Sequence, residues 1–182
     1  MFTPFDQNLI MTGYSGLGQI ALSRRVAEQL RMPFIHFEMK LEVRAEVPME
    51  EFRLRFGETR LKTLESDVMD EVALARGSVL NISGHVLAQN GYLDRLQVNG
   101  SVLCLVASLD AVLRRLHLAM GARYHDPAER ERAVGLLRRE WAVRAKPGII
   151  EIDTSALSDD AVVETVVARW RERSGVVDLG RF

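Results

Sequence analysis

The chain has 182 residues, of which 47% are hydrophobic and 27% are charged, and its formal net charge is −1. This composition is typical of one globular domain that buries most of its apolar surface. The near-zero charge excludes a general electrostatic attraction to nucleic acids or to acidic membranes.

Targeting signals and the single cysteine add little. No apolar run approaches the roughly 20 residues needed to cross a bilayer, and residues 1–6 have neither the basic start nor the apolar core of a signal peptide. We therefore expect a cytoplasmic protein with no membrane partner and no nucleic-acid partner. Cys104 lies inside the apolar run 102–106, so we expect it to be a buried hydrophobic side chain.

The first half of the chain alternates strand and helix patterns. Residues 8–12 predict a strand, 17–30 a helix and 33–38 a second strand. Pro48 suits the first turn of a helix that runs to about residue 56, where Gly57 stops it. A longer helix covers about 58–75, and residues 78–82 predict the third strand.

The second half continues the alternation. A short helical segment around 91–96 precedes a strand over 101–106 and a helix over 110–118. Asp126 and Pro127 predict the N-cap and first residue of a charged helix towards residue 144. Residues 149–153 predict the fifth strand, and Ser158 caps a final helix with a buried stripe. That stripe consists of Val162, Val163, Val166, Val167 and Trp170. Strands joined by helices predict an α/β fold of three layers, α/β/α, around a five-stranded parallel sheet.

Three closely spaced glycines follow the first strand. Gly13 and Gly18 have the spacing of the phosphate-binding pattern G-x-x-x-x-G-K-[ST], in which backbone N–H groups wrap a phosphate, a lysine reaches the β- and γ-oxygens and a hydroxyl holds Mg²⁺. Gln19 stands in place of the lysine and Ile20 in place of the hydroxyl residue. The loop is thus either a phosphate site without catalytic groups or an inherited strand-to-helix turn. The candidate phosphate-binding residues are Gly13, Ser15, Gly16, Gly18, Gln19 and Ile20.

From about residue 8 to about residue 174, these landmarks follow an order that resembles the shikimate kinase family of P-loop small-molecule kinases. The segment Leu30-Arg31-Met32-Pro33-Phe34-Ile35-His36-Phe37-Glu38 is similar to the family's L-x-x-P-F-I-D-x-D. Phe52 with Gly57-Glu58 is similar to F-x(4)-G-E, and Glu65 to the glutamate of F-R-x-x-E. Ser83-Gly84-His85 follows the third strand where the family has G-G-G.

The resemblance implies a P-loop nucleoside-kinase-like fold, with residues 1–182 as one domain and a lid segment at about 117–130. It also implies ATP and Mg²⁺ as cofactors, a small-molecule ligand, and Arg123 of the lid as a further nucleotide contact. The implied substrate pocket consists of His36, Glu38, Lys62, Gly84, His85 and Arg139, with Arg138 an alternative to Arg139.

The positions that depart from the family pattern are those that the resemblance assigns to metal binding and substrate binding. The family has aspartates at the positions of His36 and Glu38, and a histidine does not replace a carboxylate oxygen as a Mg²⁺ ligand. Lys62 stands where the family has an arginine, so the charge is kept and the bidentate fork is lost. We therefore assign no catalytic residue. His36, Glu38 and His85 together are a candidate metal or acid–base site, although hydrogen-bonded side chains without a metal are the simpler interpretation.

Three functions from different classes follow. The first, which we favour, is a binding or regulatory protein that takes a phosphate-bearing or small carboxylate ligand with little or no phosphoryl transfer. The second is a working ATP-dependent kinase for shikimate or a related hydroxylated metabolite. The third is a non-catalytic structural partner, which predicts an occluded loop pocket.

Overall fold

The structure is a computed structural model that describes residues 6–13 and 18–175, without the side chains of residues 123 and 124. Within these residues five strands form one parallel sheet. The strands are β1 (Asn8–Gly13), β2 (Phe34–His36), β3 (Val79–Asn81), β4 (Gly100–Val106) and β5 (Ile149–Asp153). Their order across the sheet is β2-β3-β1-β4-β5, so that β1 is central. The parallel sheet and its five predicted strands are confirmed.

The strands are connected by helices in the described part of the chain. The α-helices are α1 (Gln19–Leu30), α2 (Phe37–Ala45), α3 (Met49–Val72), α4 (Gly84–Leu87), α5 (Tyr92–Gln97), α6 (Leu109–Met120), α7 (Pro127–Glu140) and α8 (Asp159–Ser174). Two 3-10 helices, Gly121–His125 and Trp141–Ala145, flank α7. Of the described helices, none is long and apolar enough to cross a membrane.

Apolar residues of the sheet alternate between two core layers, as the period-2 geometry of strands requires. On one face Ile10, Leu80 and Val102 pack with helices α2 to α5. On the other face Leu9, Leu103 and Ile152 pack with α1 and α8. A third cluster joins α6 to α7 through Val112, Leu116 and Leu137. The predicted three-layer arrangement is therefore confirmed.

Several helix ends follow the predicted capping chemistry. The side chain of Asp126 accepts a hydrogen bond from the N–H of Ala128 at 2.9 Å, and that of Ser158 accepts one from Ala161 at 3.3 Å. Gly57 has φ +79° and ψ 171°, which interrupts α3 between its two predicted halves. The apolar stripe predicted for the last helix is buried against α1 and the sheet.

The prediction of one strand over residues 33–38 was wrong at its C-terminal end. Strand β2 stops at His36, and Phe37 begins α2. Phe37 and Leu41 are one helical turn apart and are 0% and 2% exposed against Val68 and Met69 of α3. The charged helix was also predicted too long: α7 ends at Glu140, and residues 141–145 tighten into a 3-10 helix that buries Val143.

Candidate functional site

A cavity lies at the carboxyl edge of the sheet, where β1, β2 and β3 end. In open α/β sheets ligands bind outside the carboxyl ends of the strands, where connections from the central strand diverge to both sides. The cavity has a volume of about 220 Å³. Its described lining residues are Gly13, Gln19, Ile20, His36, Glu38, Asn81, Ile82, Ser83, Leu136 and Glu140.

Gly13 ends β1 at a position that requires glycine. Its φ is +88°, and a Cβ there would lie 2.3 Å from the carbonyl oxygen of Leu105 and 2.7 Å from Sγ of Cys104. Gly18 has φ +98° and is the N-cap of α1. Packing against β4 thus explains Gly13 without any phosphate. Of the other predicted loop residues, Ser15 and Gly16 lie outside the described residues.

Gln19 and Ile20 form the first turn of α1 and line the cavity. The Oε1 atom of Gln19 is buried and has no hydrogen-bond partner among the residues that the structure describes, and Ile20 is 44% exposed. A buried acceptor without a partner costs about 1–3 kcal/mol. The first turn of α1 therefore offers an amide and a hydrocarbon where the phosphate-binding pattern has an ammonium and a hydroxyl.

His36 and Glu38 lie together although they belong to different elements. Nε2 of His36 is 3.2 Å from Oε2 of Glu38, and Oε1 of Glu38 accepts a hydrogen bond from the N–H of Ser83 at 2.9 Å. Nδ1 of His36 is buried and makes no hydrogen bond with the residues that the structure describes. Glu38 lies in the first turn of α2, where the helix dipole stabilises a negative charge.

Glu140 is a site residue that the sequence analysis missed. Its Oε2 accepts a hydrogen bond from the N–H of Gly84 at 2.7 Å, and the residue is 9% exposed. Burial, and then repulsion from Glu38, raise the pKa of Glu140 from 4.5 to about 6, although the Gly84 N–H opposes the shift. The sequence offered one signal: Leu136 is one helical turn before Glu140, so the two residues share a face of the helix. In the structure both line the cavity.

Gly84 itself is buried between α4 and the C-terminal end of α7. A Cβ on Gly84 would lie 1.8 Å from the carbonyl oxygen of Glu140 and 2.7 Å from its carbonyl carbon. Gly84 thus allows the two backbones to approach closely. This contact places the carboxylate of Glu140 against the backbone at Gly84.

The predicted cationic residues do not line the described part of this cavity. Lys62, Arg138 and Arg139 are exposed and do not belong to the described cavity wall. At the C-terminal end of α7 it is Glu140, next to Arg139, that is buried. The placement of Lys62 and Arg139 in a substrate pocket stays a prediction, and the charge of Arg139 lowers the pKa of the neighbouring Glu140. The side chain of Arg123 lies outside the described residues.

His85 does not complete a trio with His36 and Glu38. It is exposed on α4, where its Nε2 lies 2.9 Å from Nε2 of Gln89. Among the residues that the structure describes, no group of three or more His, Cys, Asp or Glu side chains is arranged to hold a metal ion. His85 contacts Gln89 rather than His36 or Glu38, and a metal site at this trio stays a prediction.

A parallel sheet whose central strand ends at Gly13, shortly before a helix begins at Gln19, is typical of P-loop small-molecule kinases, and three comparisons agree. The family model described as shikimate kinase matches residues 15–171. A shikimate kinase of Thermodesulfovibrio yellowstonii is 23% identical over 171 residues, covering 92% of this chain and 97% of that protein.

Solved structures agree on the fold. A shikimate kinase from Bacteroides thetaiotaomicron has a TM-score of 0.73 at 21% identity and covers 93% of this chain and 99% of that one. A shikimate kinase from Acinetobacter baumannii in complex with shikimate has a TM-score of 0.72 at 19% identity and covers 92% and 94%. The chain belongs to the shikimate kinase family.

The residues at the start of α1 and at the end of β2 lack the contacts to Mg²⁺–ATP that the phosphate-binding pattern has there. Mg²⁺ prefers oxygen ligands in a near-octahedral arrangement. The first turn of α1 supplies a hydrocarbon side chain at Ile20, and the end of β2 supplies the imidazole of His36. Gln19 carries no positive charge for the phosphates. No catalytic step through a bound metal follows from this donor set.

Proposed function

We propose that this chain is a small-molecule-binding member of the shikimate kinase family with little or no phosphoryl transfer. The observation that carries the proposal is the wall of the cavity at the start of α1, where Gln19 and Ile20 occupy the positions of the lysine and the hydroxyl residue. The cavity beside these residues has a volume of about 220 Å³ and is the place where we propose that the ligand binds.

The rate that the missing catalytic groups normally contribute supports this proposal. Removing one electrostatic stabiliser from an active site typically raises the barrier by about 3–4 kcal/mol. Here the phosphate lysine, the metal hydroxyl and the metal-side aspartate are all replaced, at Gln19, Ile20 and His36. Such losses do not simply add, because the groups act as a unit. The loss of one such group alone corresponds to a rate about 10²- to 10³-fold lower.

A phosphate group remains the natural anchor for a ligand at the N-terminal end of α1. The first turn of α1 contains no acidic side chain, and no side chain caps it. The backbone N–H groups and the dipole of a helix N-terminus favour an anion at such a position. Affinity there is expected to be weak, because no lysine follows Gly18.

Calorimetric titration of ATP and ADP, first with Mg²⁺ and then with EDTA, tests the proposal. We expect weak or undetectable binding by the wild type, with no dependence on Mg²⁺. A Gln19→Lys/Ile20→Ser variant restores the two missing groups and is expected to gain Mg²⁺-dependent binding. Gln29→Lys, an exposed position near the other end of α1, adds the same charge away from the site and is the matched control.

Two results contradict the proposal. One is micromolar binding of MgATP by the wild type, and the other is turnover of ATP in the presence of shikimate. Either result favours the alternative, a working kinase that has replaced the lost contacts. If the double variant gains no more affinity than Gln29→Lys, the glycine turn is a structural relic and the ligand contacts only the rest of the cavity.

A further inference from the structure

Two hollows on the surface of α6 and α7 form one continuous groove. The first has a volume of about 550 Å³ and is lined by residues of α6 between positions 110 and 118. The second has a volume of about 560 Å³ and is lined mainly by residues of α7 between positions 127 and 138. Leu113 lines both hollows, so they meet at this residue, and we call them together the α6–α7 groove. None of its described lining residues belongs to the wall of the cavity at the carboxyl edge of the sheet, so the groove is a separate surface.

The groove exposes apolar side chains and part of the backbone of α7. Leu118 is 83% exposed, and Leu113 and Val134 are partly exposed. Gly135 also lines the groove, and nothing lies within 4 Å of the Cβ that another residue would have there. A glycine inside a helix is less stable than an alanine, and no close contact among the described residues requires one at this position. Gly135 leaves the backbone of α7 open to close approach by a second molecule.

The charged residues of the groove are mixed in sign. Asp110 lies in the first turn of α6 and Arg114 lies one turn later, and both are exposed. Their i, i+4 spacing allows an ion pair within the helix, but neither residue forms an ion pair with a residue that the structure describes. Across the groove, α7 contributes Arg130, Glu131 and Arg138. Because both signs are present, the groove does not favour a strongly acidic or a strongly basic partner.

The order of the two charges along α6 makes this face complementary to a second copy of itself. In a two-fold symmetric dimer every contact occurs twice, so that residue i facing residue j also has j facing i. When two α6 helices are antiparallel about an axis near residue 112, Asp110 of each copy lies level with Arg114 of the other. The same axis brings the two Leu113 side chains together between the two ion pairs.

We propose that the α6–α7 groove is a homodimer interface in which α6 of one copy packs antiparallel to α6 of another. The proposal is independent of the ligand of the cavity. Helix α6 has 12 residues and is therefore about 18 Å long, so the contact is small. Interfaces that bury less than about 1,200 Å² are typical of weak, transient association. We therefore expect a dissociation constant on the order of 100 µM.

Sedimentation equilibrium of the full chain tests whether this dimer forms. We expect the apparent mass to rise from 20.5 kDa towards twice that value as the protein concentration increases. A range from about 10 µM to about 1 mM brackets the expected dissociation constant.

Charge reversal tests whether Asp110 and Arg114 face each other across the two-fold axis. Asp110→Arg and Arg114→Asp each place like charges at both contacts, and we expect each to weaken dimerisation about tenfold, which corresponds to about 1.4 kcal/mol. An equimolar mixture of the two variants restores opposite charges at both contacts and is expected to dimerise as the wild type does. Asp159→Arg makes the same change at an exposed position in the first turn of α8 and is the matched control, with an unchanged dissociation constant.

The double variant Asp110→Arg/Arg114→Asp exchanges the two charges within one chain and is expected to dimerise like the wild type. Far-UV circular dichroism checks that all variants are folded. Four outcomes overturn the proposal: a wild type that stays monomeric throughout this range, single reversals that dimerise like the wild type, a mixture no more dimeric than either variant alone, or a monomeric double variant. None of these outcomes depends on nucleotide or ligand binding, so they leave the proposed function untouched.

Discussion

The contact between Gly84 and Glu140 decides the shape of the candidate site at the scale of single residues. The backbone of α4 approaches the C-terminal end of α7 so closely that a single methyl group would overlap the carbonyl of Glu140. The same approach delivers the Glu140 carboxylate to the N–H of Gly84. Gly84 therefore allows both the close packing of α4 against α7 and the position of the Glu140 carboxylate in the site.

Gly84→Ala is expected to destabilise the protein. Overpacking a tight contact costs about 1–3 kcal/mol, and here the clash is with backbone atoms that have little room to move. Gly135→Ala is the matched control, because nothing lies within 4 Å of the Cβ it would add inside α7, and removing a helical glycine stabilises by about 0.5–1 kcal/mol. Urea denaturation measures both, and equal midpoints for the two variants would contradict the packing argument.

The buried carboxyl of Glu140 predicts a specific pH dependence. Its pKa is about 6 in the folded state against 4.5 for the ordinary group. The folded state therefore binds the proton more tightly, and this contribution to stability is lost as the pH rises from about 4.5 to about 6. Glu140→Gln does not titrate, so we expect its unfolding free energy relative to wild type to increase by up to about 2 kcal/mol between pH 4 and pH 7.

Subtracting the unfolding free energy of the wild type from that of Glu140→Gln removes the contributions of most other titrating groups. Glu71, Glu151 and Asp153, whose pKa values are lowered by hydrogen bonds from partners, are the same in both proteins. The exposed Glu131→Gln variant should show a constant difference from wild type over the same range. A constant difference for Glu140→Gln as well would mean that burial does not raise the pKa of this group.

Residue identity alone did not reveal Glu140, because it lies in a charged run with Arg138 and Arg139. Such a run predicts a solvated helix face, and two of these three residues are indeed exposed. Which one turns inward depends on the helix rotation, and that is set by the packing of Leu137 and by the close approach at Gly84. In the structure it is Glu140, next to Arg139, that lines the cavity.

At the scale of elements, predictability followed the length and regularity of the pattern. Helix α8 has a serine cap and a stripe of buried apolar residues over sixteen positions, and it was predicted. Helix α2 has only nine residues and two buried apolar side chains, Phe37 and Leu41. Its first residues continue an apolar strand pattern, so the end of β2 is fixed by packing against α3, which a local pattern does not contain.

The cap of α8 gives a prediction at this scale. Ser158 accepts a hydrogen bond from the N–H of Ala161, and an ion pair between Arg25 and Asp160 joins the same end of the helix to α1. Ser158→Ala is expected to lower the unfolding free energy by about 1 kcal/mol. Ser158→Asp retains an acceptor at the cap and should stay within a few tenths of the wild type. A loss as large in Ser158→Asp as in Ser158→Ala would show that the cap bond contributes nothing.

At the scale of the whole molecule, the alternation of strands and helices was enough to predict the parallel sheet and its covered faces. Buried parallel strands such as β4 are continuous apolar runs, and the links between them are long enough for helices. The cavity was only partly predictable. Its floor at Gly13 and Gln19 follows from the sequence motif, whereas the acidic wall depends on contacts between residues 38, 83, 84 and 140, which are distant in the chain.

The two tryptophans of the chain lie in different core layers and test whether the chain unfolds as one unit. Trp170 is buried with α1 and β4, and Trp141 packs against the layer that contains α4 and α5. In Trp141→Phe the remaining fluorescence comes from Trp170 and reports on the layer of α1 and β4. In Trp170→Phe it comes from Trp141 and reports on the layer of α4 and α5. Because the sheet is shared by both layers, we expect fluorescence and far-UV circular dichroism to give one urea midpoint within each variant.

A core truncation added to each single-tryptophan variant makes this test sharper. Leu80→Ala removes a fully buried side chain from the layer of Trp141, and Leu103→Ala removes one from the layer of Trp170. Each truncation is expected to cost about 2–5 kcal/mol. If the chain is one cooperative domain, each lowers the midpoint reported by either tryptophan by the same amount. A midpoint that moves only in the layer carrying the truncation would divide the chain into two units and contradict the single-domain prediction.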